Sequence, residues 1–246
     1  MTNETLGLPP LSADATCEYL GDNARVWISP RFKFGTDALL LARFALACAP
    51  HAKSAADLGT GCGVIPIVWT QQQPTLHVLA VELQAEGCLL AQHSAHSSNV
   101  HDRITVRQQD LRTVHPTQLP NARPLDLVAC NPPYFRPNSG AKALGTERQL
   151  ARAEDTCTAA DAAQAAFRLL KHGGWFCMIH RAERLCDVFD AMRGARIEPK
   201  CLQPIITAPN RAPKLILVGG RRDGNIGLTW LPPVVWNENE KRFKIQ

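Results

Sequence analysis

The segment Asn131-Pro132-Pro133-Tyr134 holds the residue types of this chain that are best suited to chemistry. It follows a short apolar run, Leu125 to Cys130, which is typical of a buried strand. The asparagine side-chain oxygen and the carbonyl of Pro132 can each accept a hydrogen bond from a planar amino group, and the prolines keep this backbone rigid. Tyr134 offers a ring on which a flat group can stack. The four residues are therefore candidate catalytic residues, with two hydrogen-bond acceptors and an aromatic ring on a rigid backbone.

A second candidate site, Asp57-Leu58-Gly59-Thr60-Gly61-Cys62-Gly63, lies between a predicted strand and a predicted helix. Glycines at every second position let the backbone pass close to a ligand and turn sharply. A turn of this kind is a nucleotide site in many doubly wound folds. The Gly-x-Gly-x-Gly spacing differs from the Gly-x-Gly-x-x-Gly of dinucleotide enzymes, and so favours S-adenosylmethionine over NAD. We predict that Asp57, Gly59, Gly61 and Gly63 bind this cofactor.

Acidic residues stand at the ends of the next two predicted strands. A carboxylate at Glu82 can accept hydrogen bonds from both ribose hydroxyls of a cofactor. Asp110 can accept from the adenine amino group, and Asp57 can orient the methionine ammonium. The carboxyl ends of parallel strands meet at one edge of a sheet, where ligands bind. The cofactor-binding candidates therefore also include Glu82, Leu83, Asp110, Leu111 and Asn131.

The elements that must position these residues alternate between strand and helix from about residue 36 onward. We predict strands at 55–58, 77–83, 104–108, 125–130, 175–180, 199–207 and 214–219. We predict helices at 36–49, 64–72, 84–98, 155–170 and 182–193, of which the fourth is capped by Asp155 or Thr156 and ended by Gly173-Gly174. This alternation predicts an α/β fold with an open, doubly wound, mostly parallel sheet of seven strands. We assign residues 36–246 to this domain, and residues 1–35 to an extension with a hairpin near 17–28 that leans on the sheet.

The composition is that of an ordinary globular protein, with 45% hydrophobic and 20% charged residues. No apolar run approaches the roughly eighteen residues of a membrane span, and no secretory signal is recognisable. We therefore expect a cytoplasmic protein. The nine cysteines are scattered without a Cys-x-x-Cys pair, which predicts reduced thiols. His93 and His96 have a metal-ligand spacing but no evident third ligand, so we expect no metal.

The excess positive charge is concentrated in the last quarter of the chain. Residues 181–246 contain 12 Lys and Arg against 7 Asp and Glu, whereas the charges of the preceding residues cancel. Such an excess indicates either a solvated basic face or a phosphate-binding surface. Charge alone favours the first interpretation; the second, which we adopt as the partner prediction, implies a nucleic acid rather than a membrane. The candidate contacts are Arg181, Arg184, Arg221 and Arg222.

The glycine motif and Asn-Pro-Pro-Tyr, in this order and spacing, resemble the motifs of the amino-methyltransferases over about residues 35–180. The resemblance implies a Rossmann-like class I methyltransferase fold with S-adenosylmethionine as cofactor. It also implies transfer of the cofactor methyl group to an exocyclic or amide nitrogen. The sulfonium donor is reactive, so orientation of donor and acceptor would supply most of the catalysis.

The stretch Phe34-Gly35-Thr36-Asp37-Ala38-Leu39-Leu40-Leu41-Ala42, with His180 to Leu185, is similar to bacterial enzymes that methylate the adenine beside the anticodon of valine tRNA. This resemblance implies a tRNA adenine-N6 methyltransferase with Phe34 and Thr36 near the methionine arm of the cofactor. Other acceptors stay open, namely a release-factor glutamine or a ribosomal RNA guanine. A protein that binds S-adenosylmethionine or RNA without turnover is the alternative outside the enzymes.

Overall fold

The computed structural model describes residues 7–21, 23–118, 123–132 and 157–236. Within them the chain alternates between strands and helices, as the sequence predicts. In chain order the elements are β1 (Thr16–Tyr19), β2 (Arg25–Ile28), α1 (Thr36–Cys48), β3 (Ser54–Leu58), α2 (Val64–Gln72), β4 (His77–Glu82), α3 (Ala85–Ser97), β5 (Ile104–Gln108), β6 (Leu125–Cys130), α4 (Ala159–Leu169), β7 (Leu170–Arg181), α5 (Leu185–Gly194), β8 (Ile197–Ile206), β9 (Leu215–Arg222), β10 (Thr229–Trp230) and β11 (Val234–Val235).

Strands β3 to β11 form one sheet in the order β10-β8-β9-β7-β6-β3-β4-β5, with β11 also paired to β8. All pairs are parallel except the two that β9 makes with β7 and β8. The seven predicted strands are all present, and the two-residue strands β10 and β11 raise the number to nine within the described residues. The open, mostly parallel sheet confirms the predicted fold class.

The sheet is covered by helices on both faces. Helices α1, α2 and α3 pack on one face, and α4 and α5 pack on the other. Successive side chains of the central strand β3 enter opposite cores, Ala55 the first and Ala56 the second. Because both faces are buried, the central strands are almost continuously apolar, as is usual in parallel sheets.

The start of α4 and the start of β7 differ from the prediction. The expected caps at residues 155 and 156 lie outside the described residues, and the observed cap is Thr158, which forms a reciprocal capping box with Asp161. Gly173 and Gly174 were expected to end this helix, but β7 already begins at Leu170 and runs through them. A Cβ atom on Gly174 would lie 3.0 Å from the Leu125 carbonyl oxygen, so this glycine lets β7 approach β6 closely.

An antiparallel hairpin of β1 and β2 pairs Thr16 with Ile28. It packs on α3 rather than on the sheet, contrary to the expectation. The backbone N–H of Trp27 donates to the Ser94 hydroxyl and its indole N–H to the Ser97 hydroxyl, both at 2.9 Å. The hairpin thus adds a third layer beside α3, while the division of the chain at residue 35 stays a prediction.

Candidate active site

The predicted site residues follow the carboxyl ends of neighbouring strands. Leu58, the last residue of β3, pairs with Val81 of β4 on one side and with Cys130 of β6 on the other. From β3 the chain continues to β4 and β5 in one direction, and then returns to place β6 on the opposite side. Such a reversal of strand order opens a crevice for a ligand. The glycine turn and Asn131 therefore leave the sheet side by side at this crevice.

The three glycines of the turn have positive φ angles of 77°, 54° and 84°. Two of them illustrate different requirements. A Cβ atom on Gly59 would meet nothing within 4 Å, so this part of the turn faces open space. A Cβ atom on Gly63 would lie 3.0 Å from the Cβ of Ala91, so Gly63 lets the start of α2 pack against α3. The turn therefore combines an open backbone with tight packing behind it.

Asp57 is the most unusual group at this edge, because it is buried at 1% exposure. Neither of its carboxylate oxygens has a hydrogen-bond partner among the described residues. Burial raises the pKa of Asp57 from 3.8 to about 7; the nearby Thr60 hydroxyl, which lies outside hydrogen-bond geometry with either oxygen, opposes this rise, and the charge of Glu82 adds to it. Buried carboxylates are normally hydrogen-bonded, so the two oxygens indicate a place for a donor from a ligand. An ammonium group fits this place by charge.

Glu82 is held by backbone donors on both sides of its carboxylate. Its Oε2 accepts from the N–H of Gly61 and its Oε1 from the N–H of Gln84, both at 2.9 Å. An ionised carboxylate has about four lone-pair positions, so two remain for further donors. Beside it, Leu83 is 49% exposed and presents an apolar surface. The pair offers a hydrogen-bond acceptor for hydroxyls and an apolar contact for a flat ring.

Asp110 is already engaged within the protein. The guanidinium of Arg112 donates from Nε to both carboxylate oxygens at 3.0 Å, and these bonds hold the pKa of Asp110 below its usual 3.8. The predicted contact with an adenine amino group must therefore share this carboxylate with Arg112. Leu111 packs in the core on the α4 face of the sheet. Its predicted cofactor contact stays a prediction.

Phe32, which the sequence interpretation missed, reaches the glycine turn. Its Cδ1 lies 3.8 Å from the place of a Cβ atom on Gly61, and its Cε1 lies 2.9 Å from that on Gly87. Phe34, like Phe32, packs against the core that α1 helps to form, and its predicted place near the methionine arm stays a prediction. Thr36 is the first residue of α1. The sequence could have indicated Phe32 as well. Phe32 and Phe34 are two residues apart, and side chains two apart in an extended segment lie on the same face.

The side chain of Asn131 is oriented by an acid from α1. Its Nδ2 donates to Oδ2 of Asp37 at 3.2 Å. Pro132 is buried directly behind it. Pro133 and Tyr134 lie outside the described residues, so the stacking ring and the second proline stay predictions. The structure thus brings Asn131 to the crevice together with Asp37, a residue that the sequence interpretation left without a role.

The four predicted arginine contacts lie at opposite edges of the sheet. Because β9 is antiparallel, Arg221 pairs with Trp175 near the start of β7, whereas Arg181 ends β7 beside the crevice. Arg221 donates from Nε to the Gly173 carbonyl at 2.9 Å. The guanidinium of Arg222 lies 4.2 Å from the Phe167 ring centroid and donates to backbone carbonyls of α4 and β7. Arg221 and Arg222 therefore stand apart from Arg181 and Arg184 along the strands, and the role of all four as nucleic-acid contacts stays a prediction.

The two histidines singled out in the sequence make contacts within the protein. His93 is buried, and its Nε2 lies 2.8 Å from the Pro9 carbonyl oxygen. The ring of His96 stacks on that of His101 with centroids 4.2 Å apart. Across the described ranges no cluster of three His, Cys, Asp or Glu side chains could hold a metal ion. No helix in that part of the chain is long and apolar enough to cross a membrane.

Comparisons with known proteins agree with this arrangement. The family model of the methyltransferase small domain matches residues 22–185. A tRNA1(Val) (adenine(37)-N6)-methyltransferase of Parabacteroides distasonis is 30% identical over 186 residues, which cover 76% of this chain and 75% of the relative. One of the same name from Aeromonas hydrophila is 29% identical, over 77% of each chain. The crystal structure of a predicted O-methyltransferase from Agrobacterium tumefaciens has a TM-score of 0.62 at 22% identity, covering 81% of this chain and 86% of its own, which shows a shared fold.

Proposed function

The chain belongs to the methyltransferase small domain family, and we propose that it transfers a methyl group from S-adenosylmethionine to the N6 amino group of an adenine in tRNA. It is an S-adenosylmethionine-dependent methyltransferase by family. The nature of the acceptor is supported by relatives whose names specify adenine 37 of a valine tRNA. The observation that carries the proposal is that Asn131 and the glycine turn leave neighbouring parallel strands at the same edge of the sheet, since Cys130 pairs with Leu58.

The residues at the crevice fit the cofactor. The buried, unpartnered carboxylate of Asp57 is complementary to the ammonium of the methionine part, directly or through water. The fixed carboxylate of Glu82 has lone pairs left for the ribose hydroxyls. The open side of Gly59 leaves space for the methionine part to pass over the turn. When bound, the cofactor supplies a methyl carbon activated by its sulfonium.

The chain itself supplies orientation of the acceptor. The Oδ1 of Asn131 and the carbonyl of Pro132 would accept the two hydrogens of the adenine amino group, which directs its lone pair toward the methyl carbon. Pro133 and Tyr134 keep their predicted roles, the first as a rigid support and the second as a stacking ring for a base turned out of its stack. The amino proton leaves after transfer, so no strong base is needed.

The RNA would be held along the carboxyl edge of the sheet. Arg181 and Arg184 stand at the end of β7, and the N–H of Ala182 donates to the Lys214 carbonyl at 3.1 Å, which joins this end to the turn between β8 and β9. That turn presents the exposed side chains of Arg211 and Lys214. We define the basic edge as Arg181, Arg184, Arg211 and Lys214, and propose that it contacts phosphates. The proposed tRNA substrate also supports a cytoplasmic location.

The test is methyl transfer from labelled S-adenosylmethionine to separate pools of tRNA, ribosomal RNA, DNA and release factor. Digestion of the labelled product to nucleosides or amino acids identifies the acceptor atom. We expect N6-methyladenosine, and only from the tRNA pool. Label recovered in glutamine or in guanosine would replace the proposed substrate by one of the alternatives, and saturable cofactor binding without transfer to any pool would make the chain a binding protein.

A further inference from the structure

We propose that Asp37 is a positioning residue that determines which end of the Asn131 amide faces the acceptor. This inference deepens the proposed function and rests on it. The two residues are 94 positions apart in the chain, and their side chains meet where α1 begins and β6 ends, with Nδ2 of Asn131 donating to Oδ2 of Asp37 at 3.2 Å. Both side chains are half-buried.

The chemistry of the pair leaves one orientation of the amide. An asparagine side chain has an acceptor end and a donor end of nearly equal shape, so packing alone does not distinguish them. An ionised carboxylate only accepts hydrogen bonds, so the NH₂ end must face Asp37. The Oδ1 end is then turned away from α1. The reversed orientation would place oxygen against carboxylate and would offer NH₂ to an incoming amino group, which also needs an acceptor.

The start of α1 is shaped to hold the Asp37 carboxylate. A Cβ atom on Gly35 would lie 2.5 Å from Oδ1 of Asp37 and 3.4 Å from its Cγ. Gly35 has a φ of −103°, which any residue adopts, so a side chain added here would displace the Asp37 carboxylate rather than strain the backbone. The first turn of a helix also favours a negative charge through the helix dipole. The Gly35-Thr36-Asp37 sequence thereby places an anion beside Asn131.

A purely structural role for Asp37 as a first-turn acid makes a different prediction. In that case its loss would lower the melting temperature, and turnover of the remaining folded protein would be normal. A positioning role instead lowers kcat while the affinity for S-adenosylmethionine is kept, because the contacts of Asp57 and Glu82 are unchanged. Separate measurements of cofactor Kd, melting temperature and kcat distinguish the two.

The decisive experiment exchanges the two residues. Asn131→Asp alone sets two carboxylates against each other, and we expect kcat to fall by about 100-fold or more, the typical loss of one preorganised transition-state contact. Asp37→Asn alone leaves the amide orientation unspecified, and we expect a loss of roughly tenfold, as for other outer contacts that orient a functional group. In the double exchange, the new amide at position 37 donates to the new carboxylate at 131, whose second oxygen accepts from the substrate. We expect the double variant to regain at least about tenfold over Asn131→Asp, since it restores that orienting contact.

Gly35→Ala provides a second, independent probe, because the added methyl group displaces the Asp37 carboxylate without removing its charge. We expect kcat to fall in the same direction with cofactor Kd unchanged. An exchange variant no more active than Asn131→Asp would overturn the inference, and so would an Asp37→Ala variant with wild-type kcat. If the wild-type chain itself methylates no tRNA, the proposed function fails, which is a separate outcome that the same assay reports first.

Discussion

Acidic side chains at the two edges of the sheet differ in whether they have partners within the protein. At the amino edge, Asp126 accepts from the backbone N–H groups of Lys53 and Ser54 and pairs with Lys171 at 2.5 Å. There too, Asp223 pairs with Arg196 at 2.5 Å. At the carboxyl edge, Asp57 is buried with no partner for either oxygen among the described residues. The two amino-edge acids are satisfied within the protein and so contribute to stability. At the carboxyl edge Asp110 and Glu82 are engaged in part, whereas Asp57 keeps both oxygens for a donor that arrives from outside.

Asn131→Ala at the carboxyl edge is expected to have the largest effect on activity. We expect methyl transfer to fall by about 10²- to 10³-fold, because one of two acceptors for the amino group is lost. Cofactor Kd should change little, as measured by calorimetry. The matched control at the other edge is Asp126→Asn, for which we expect a lower melting temperature and an unchanged kcat. Turnover of Asn131→Ala near the wild-type value would contradict the account of this segment.

The charge of Asp57 can be tested through the pH dependence of cofactor affinity. Its pKa is raised to about 7, so its ionised fraction grows between pH 6 and pH 8. If it pairs with the cofactor ammonium, affinity should rise over this window, by up to about tenfold per pH unit below the pKa. Asp57→Asn should bind more weakly at pH 8 and remove that part of the pH dependence. Equal pH profiles of the two proteins would exclude this pairing.

The raised pKa of Asp57 also makes the folding stability depend on pH, in the direction opposite to that of the cofactor affinity. A carboxyl group whose pKa is higher in the folded state binds more protons there, so its contribution to stability is full below pH 3.8 and is lost as pH rises through about 7. Without cofactor, Asp57→Asn should lessen this loss of stability. Chemical denaturation of both proteins at pH 5 and pH 8 measures the difference, and a wild-type loss as small as that of the variant would count against an unpartnered Asp57.

A charge reversal at each edge tests where RNA binds. Replacing Arg211 and Lys214 by Glu should weaken tRNA binding by about tenfold and lower the slope of log K against log salt by about one to two, because phosphate contacts are lost. Replacing Arg221 and Arg222 by Glu should leave both quantities nearly unchanged. Filter binding over a range of salt concentrations decides. The reverse pattern would move the RNA to the amino edge.

The smallest effect is expected from Arg222→Ala, which concerns stability alone. Arg222 donates to backbone carbonyls of Phe167 and Leu170 and covers the Phe167 ring. Loss of these contacts should cost on the order of 1 kcal/mol of unfolding free energy. The measurement is urea denaturation, with kcat determined at a temperature where the variant is folded. A loss of activity larger than the loss of folded protein would give Arg222 a functional role.

Local patterns were sufficient for much of this fold. The predicted bounds of α2, β5 and β6 coincide with the observed ones, since α2 and β6 are mostly apolar runs and β5 begins with the β-branched residues Ile104, Thr105 and Val106. The same reasoning failed at Gly173 and Gly174, which resemble a helix stop. Gly174 instead lies inside β7, where it passes close to the Leu125 carbonyl oxygen. This contact joins distant parts of the chain, and no local pattern indicates it.

The candidate site was predictable to the extent that strand ends define it. Asp57 and Glu82 lie at the ends of β3 and β4, Asn131 follows β6, and parallel pairing brings these strand ends to one edge. The contact between Asp37 and Asn131 was not predictable, because it joins segments 94 residues apart. The sequence could not separate the two groups of arginines for a related reason. A count of charges does not show where in the fold the charged residues lie, whereas the antiparallel course of β9 places Arg221 toward the amino edge of the sheet.

The contact between α1 and the end of β6 also constrains how the family can change over generations. Since two carboxylates at 3.2 Å repel, a lineage that acquires aspartate at position 131 should also replace the acid at position 37. Substitutions at these two positions should therefore be coupled in an alignment of relatives, although nearly a hundred residues of chain separate them.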